Sequence, residues 1–303
     1  MPAQPLGPTG LLAQSMTLPA GSQSMAMGGM GLRAQGMDGR KNGAARTFQL
    51  SPAVSGKAIW NLDTDGPLNL GTQGNWYATP LSTFSVSAKL WGEGGDGNRS
   101  GLFGAGAFSE GVITFIAGTT YRLGVGQGRG AQSAFNGAGG GWSGVLIDAP
   151  STAILIAAGG GANGWNTSGG IKGGAGGWPN GISGEDDPNT NYSIGGGGGG
   201  QSSGGSGGGA TGTFAQAGTS GTSLQGGGGG YAGGGGGGGY FGGGGGGGAD
   251  VNGAGGGGGS SYFNPALVIA QSMLSGSGTT PGNSSDADRA GAGVSFSGRL
   301  ILK

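Results

Sequence analysis

Apolar and polar residues alternate in short bursts along much of this chain, separated by turn-forming residues. Residues 47–50 (TFQL), 57–62 (KAIWNL) and 83–91 (TFSVSAKLW) carry the two-residue alternation or the β-branched and aromatic content of half-buried strands. Further strands are predicted at 111–116, 120–125, 144–147 and 153–158 and, after a long interruption, at 261–269 and 294–302. Asp63-Thr64-Asp65-Gly66-Pro67 reads as a turn that lacks the full spacing of a calcium loop. No segment longer than about ten residues keeps a helical period of 3.6. Short strands divided by turns predict a mainly β chain, folded as a sandwich or barrel.

The interruption is residues 195–259, where 39 of 65 positions are glycine, in unbroken runs at 195–200, 226–230, 233–239, 242–248 and 255–259. One reading is a flexible linker. The other is a bundle of polyglycine-II helices, extended three-residue-per-turn rods whose close packing only glycine permits, as at the axis of collagen. Strands on both sides, and Tyr231, Tyr240, Phe241, Tyr262 and Phe263 at the edges, favour the bundle. So do the similar run lengths: seven glycines at ~3.1 Å each span about 22 Å, the height of one domain layer. Ordering 65 backbones costs on the order of 65–130 kcal/mol, with glycine at the expensive end. Glycine has no side chain to offset that cost, so inter-rod hydrogen bonds must do so.

Residues 1–46 have another character. Pro2, Pro5, Pro8 and Pro19 suppress helix, and Met16, Met25, Met27, Met30 and Met37 sit among Gly, Ala, Ser and Gln. Methionine fills irregular grooves, so the stretch reads as an extended docking arm held by neighbouring chains, or as a disordered tail. It lacks the basic and apolar regions of a secretory signal, and no run approaches a membrane-spanning length. The expected layout is an arm (1–46), a β linker or hairpin region (47–82) and a glycine-rich domain (83–303).

Composition narrows the chemistry. Thirteen basic and thirteen acidic residues cancel, giving no reason to expect nucleic acid or an anionic membrane as partner. Cysteine and histidine are absent, so disulfides, thiolate sites and the commonest general base and metal ligand are excluded. Gly126-Gln127-Gly128-Arg129-Gly130 misses the dinucleotide-binding spacing, and Gly56-Lys57 lacks the rest of a P-loop. Residues 245–250 fit the start of a calcium-binding nonapeptide, but one copy without tandem repeats carries no weight. Glu185-Asp186-Asp187 is the densest acidic cluster and reads as a solvated loop before a cation site. Sequons at Asn98, Asn166, Asn191 and Asn283 read as accidents of an Asn/Ser-rich composition. No carboxylate pair stands out, and no enzyme activity or cofactor is expected. Trp142, Trp165, Trp178 and Tyr192 lie among Gly, Asn, Ser and Asp, where they either cap the glycine array or form a recognition surface for a glycan or protein.

Ala153-Ile154-Leu155-Ile156-Ala157-Ala158-Gly159-Gly160-Gly161 resembles the strand leading into the glycine-rich domain of the anaplastic lymphoma kinase and leukocyte tyrosine kinase receptors. The likeness extends to GGAGGW (173–178), GGYFGG (238–243) and GAGVSF (291–296), while TFSVSAKLWGEGGDG (83–97) is similar to the opening of glycine-rich domains in bacteriophage tail-fibre and adhesin proteins. The resemblance covers about residues 83 to 303. It implies a sandwich like that of tumour necrosis factor interleaved with polyglycine-II helices. The receptors' cysteines and kinase segments are absent, which points away from an animal receptor. The resulting expectation is a non-enzymatic virion protein, a tail fibre, adhesin or capsid-decorating fibre. Its arm would dock on other virion proteins, and its glycine-rich domain would meet a host-surface glycan or protein. A homo-oligomer, a trimer before other states, is expected. The alternative is a bacterial cell-surface or matrix protein, with an ice-binding protein behind it.

Overall fold

The computed structural model describes residues 44–97, 101–132, 137–166, 169–188, 193–250 and 252–303. Met16, Met25, Met27, Met30, Met37 and Tyr192, and with them the docking-arm reading, lie outside the described residues.

The described chain is mainly β. Its strands are β1 (Thr47–Val54), β2 (Lys57–Asn61), β3 (Leu68–Leu70), β4 (Gly74–Pro80), β5 (Phe84–Trp91), β6 (Phe108–Phe115), β7 (Tyr121–Gln127), β8 (Trp142–Ile147) and β9 (Thr152–Ala157). Short pairs follow at β10 (Gly164–Asn166), β11 (Gly169–Ile171), β12 (Gly248–Ala249) and β13 (Asn252–Gly253), then β14 (Tyr262–Phe263), β15 (Val268–Leu274) and β16 (Arg299–Leu302). They form antiparallel sheets of seven strands (β14-β9-β8-β7-β4-β1-β2) and five strands (β15-β6-β5-β16-β3), with β10-β11 and β12-β13 as separate hairpins.

Alternation explains the core. Val86, Ala88 and Leu90 of β5, Ile113 and Phe115 of β6, and Leu300 and Leu302 of β16 are buried from the smaller sheet. Phe48, Leu50, Ala78, Tyr121, Leu123, Val125, Val145 and Leu155 join them from the larger sheet in one apolar cluster. Phe48 anchors it, edge-on to Phe84 and Phe115 with ring centroids 5.0 Å apart in both pairs. Such contacts add about 0.5–1.5 kcal/mol beyond area burial.

Three expectations change. Residues 47–82 are not a separate linker: β1, β2 and β4 belong to the larger sheet and β3 to the smaller, and Ala44–Lys303 is one compact unit. The strand expected at 261–269 is broken by Asn264-Pro265. There the Asn264 side chain accepts the Ala266 N–H at 3.0 Å and its carbonyl accepts from Leu267, an Asx turn that bends the chain. The strand expected at 294–302 shrinks to β16, because Ser297 N–H closes a turn on the Val294 carbonyl and Phe296 takes a φ of 50°.

Nearly every N–H of the glycine runs is hydrogen-bonded, and the runs are buried in large part. The seven consecutive N–H groups of residues 242–248 donate in rotation to three neighbouring segments at 2.8–3.0 Å. Gly242, Gly245 and Gly248 reach the carbonyls of Thr222, Thr219 and Gln216; Gly243 and Gly246 reach Gly237 and Gly234; Gly244 and Gly247 reach Gly197 and Ile194. The partner segment therefore returns every third residue. Residues 254–259 repeat the pattern towards 244–247, 182–185 and 159–162. It also begins earlier than composition suggests: Gly92 and Gly95 donate to Ala107 and Gly104, Glu93 and Asp96 to Gly141 and Ala138.

Glycine is needed here for room. None of the glycines in the runs between 226 and 259 has a left-handed φ. A Cβ on Gly236 would stand 2.1 Å from the Gly243 carbonyl oxygen, one on Gly243 2.2 Å from that of Gly257, and one on Gly257 2.1 Å from that of Gly197. All three obstacles are backbone, so no rotamer change relieves them.

Candidate recognition surface

The glycine segments run back and forth between two ends. Tyr240-Phe241 turns the chain at the end beside β9 and β14, while Tyr231-Ala232 and Ala249-Asp250 turn it at the other. The aromatic residues divide accordingly.

At the sheet end, Trp142, Leu146 and Ile156 form a buried cluster on the larger sheet, covered by Leu224, Tyr240 and Tyr262. Trp142 is only 2% exposed and its indole N–H donates to the Leu224 carbonyl at 2.9 Å. Its role as a surface recognition residue is thereby corrected: its ring lies over Gly124, where a Cβ would come within 2.6 Å of it, and caps bare backbone. Tyr240 and Tyr262 stack at 3.9 Å, and burial together with the neighbouring Tyr240 pushes the Tyr262 hydroxyl above its ordinary pKa. Trp178 is half-buried against Phe263 at 5.3 Å.

At the other end, Trp165 lies half-buried on β10 with its backbone N–H donating to the Ala232 carbonyl. Phe214 stacks on Tyr231 at 6.0 Å and is 71% exposed, with a left-handed φ of 54°. That conformation is disfavoured for a bulky side chain, and strain of this kind clusters at functional sites. Phe214 was not singled out by the sequence; a lone aromatic between Thr and Ala in a glycine-rich stretch was its only signal. Ile194, also exposed, belongs to the same end through its carbonyl's bond from Gly247.

The acidic residues act largely as internal ties. Asp186 accepts the Gly195 N–H at 2.7 Å, Asp187 is buried and accepts from Asn166, and Glu185 pairs with Lys172 at 3.0 Å. The solvated-loop reading of this cluster thus fails for Asp187. Among the described residues no three acidic side chains gather as a metal site. Asp63 and Asp65 fasten their turn to Arg46 and Lys57.

Sequence reasoning missed Glu93, which is fully buried. Arg129 donates to both its oxygens, Nε at 2.7 Å and a terminal nitrogen at 2.6 Å, and Gly141 N–H adds a third bond at 2.8 Å. The guanidinium lies 4.3 Å from the centre of the Phe296 ring. Its signal was a lone Glu in a glycine stretch, with a lone Arg 36 residues later in another.

A second network joins Lys89 to Asp286 at 2.7 Å and to Asp288 at 2.8 Å, with Lys303 also on Asp288. Burial alone would lower the Lys89 pKa, but the two carboxylates outweigh it and hold the ammonium above its ordinary range. Lys303 and Lys89 hold the Asp288 carboxyl down at about 2. An open depression of about 310 Å³ lies beside Asp96, Gly97, Gly101, Phe103 and Ser295.

No family model matches the chain, and no curated protein matches it significantly.

Proposed function

We propose that this protein is a non-enzymatic structural and attachment component of a phage particle. In this reading the two sheets make a sandwich like that of tumour necrosis factor, and the glycine runs packed beside it make a polyglycine-II bundle. The observation that carries the reading is the three-residue rotation of hydrogen-bond partners along 242–248 and 254–259. Three residues per turn is the repeat of this helix class, and the interlocked carbonyls leave no space for reactive side chains inside the bundle. A rigid rod array of this kind suits the display of loops at a fixed distance from an anchor.

In this reading the arm of residues 1–46 docks on other virion proteins, the assembly is a homo-oligomer, with a trimer favoured, and the end bearing Trp165, Phe214 and Tyr231 faces the host surface. An exposed Phe214 stacked on a half-buried Tyr231 is the type of aromatic surface that anchors protein or glycan partners. The test is electron microscopy of purified particles carrying a tagged copy. Label on the particles, with host adsorption reduced in Phe214→Ala, is expected. Label on intact bacterial cells and none on particles would overturn the reading in favour of a cell-surface protein.

A further inference from the structure

The face of the larger sheet that points away from the core is only half covered. Over β8 and β9 it is closed by Leu224, Tyr240 and Tyr262. Over β4, β1 and β2 it is open, with Tyr77 40% exposed and Gln49, Ser51 and Ile59 exposed. Arg122 stands at the boundary. Strand register places it in one cross-strand row, Ser51–Tyr77–Arg122–Leu146. Asn75 and Thr79 flank Tyr77 on the same face of β4, at the two-residue spacing of a strand.

Arg122 is chemically unfinished. Arg46, Lys57, Lys89, Arg129, Lys172 and Lys303 each hold a carboxylate, whereas among the described residues Arg122, Arg289 and Arg299 take part in no ion pair, and Arg289 donates instead to the Ser284 and Ala292 carbonyls. The one charge contact of Arg122 is the Trp142 ring, 5.7 Å from the guanidinium carbon. Its Nε is buried with no acceptor, and so is the Asn75 Oδ1 with no donor. A half-buried guanidinium is costly to hold in place without an anion, and its fork matches a carboxylate.

We propose that this ledge is a binding site for a carboxylate-bearing polysaccharide. Arg122 would pair with a uronate or sialate carboxylate. The Tyr77 ring would pack on the apolar face of a sugar, and the exposed Gln49 and Ser51, with Thr79, would meet its hydroxyls. Charge complementarity selects the acid. The row of hydroxyl and amide groups beside one exposed aromatic ring selects a sugar over an apolar peptide. The site is at the opposite end of the glycine segments from Phe214, and it stands whether or not the protein belongs to a particle.

Affinity electrophoresis of the full chain in gels containing polygalacturonate, hyaluronate or polysialic acid, with neutral dextran as control, tests it. Retardation by at least one acidic polymer and none by dextran is expected. Arg122→Gln, which breaks no ion pair, and Tyr77→Ser should each weaken binding about tenfold or more, with thermal unfolding confirming that the variants fold. Mobility unchanged by all three acidic polymers overturns the proposal. So does full binding by a folded Arg122→Gln, or sedimentation showing that this face joins two copies of the chain.

Discussion

A glycine in this protein is defined by the carbonyl it faces. Gly236 meets the Gly243 oxygen, 2.1 Å from where a Cβ would sit, whereas at Gly228 the nearest atom is 3.6 Å away. Gly236→Ala is therefore expected to destabilise by about 1–3 kcal/mol or more, as overpacking does. Gly228→Ala should be neutral or stabilising by about 0.4–1 kcal/mol through the unfolded chain. Thermal or denaturant unfolding of the two variants measures the contrast, and equal losses would refute it. Glu93 offers a second case. Glu93→Gln removes one side of a buried bidentate pair and strands the Arg129 charge, a change expected to cost about 3–5 kcal/mol. The acid network sets a pH window. With the Asp288 carboxyl at about 2 and Asp286 and Asp65 also lowered, their stabilisation is complete above the ordinary carboxylate range. It is lost as pH falls below that range through each group's lowered folded value, which for Asp288 is about 2. Acid unfolding followed by circular dichroism should shift to higher pH in Asp288→Asn.

Among the elements, strands were legible where alternation was regular and turns were marked. β5, β7 and β9 fall within a residue or two of their expected bounds because each buries one face on a common core. β4 went unread, since its Trp76 and Tyr77 stand between Gly74 and Pro80 in a stretch without clear alternation. The glycine segments that begin at Gly92 also went unread, because their order comes from partners remote in sequence and leaves no local pattern. Glu93 and Phe214 were hidden for the same reason: each acquires its character from a residue brought close by the fold, and even the 83–97 segment that contains Glu93 carries no local sign of Arg129. The two readings of 195–259 predict opposite exchange behaviour. Amides of 242–248 should be among the most protected in the molecule when followed by NMR hydrogen exchange. Exchange at the rate of a free loop would return the stretch to being a linker.

For the whole molecule, two kinds of core share one chain. Apolar side chains from both sheets share one buried cluster, and backbone makes up most of the glycine region. Deleting residues 1–43, which spares Arg46 and its pair with Asp63, should leave the cooperative unfolding of Ala44–Lys303 nearly unchanged and, under the docking role proposed above, abolish incorporation into particles. Truncated protein still found in purified particles would sink the docking role.

The rotation of partners along 242–248 also implies a counting rule for how such a chain can change. Adding or removing one or two glycines within a run would turn every following N–H away from its acceptor. A change of three would restore each to the same neighbour, one turn along. Chains of this build should therefore tolerate length variation in steps of three inside the runs, and freely only at the turns between them.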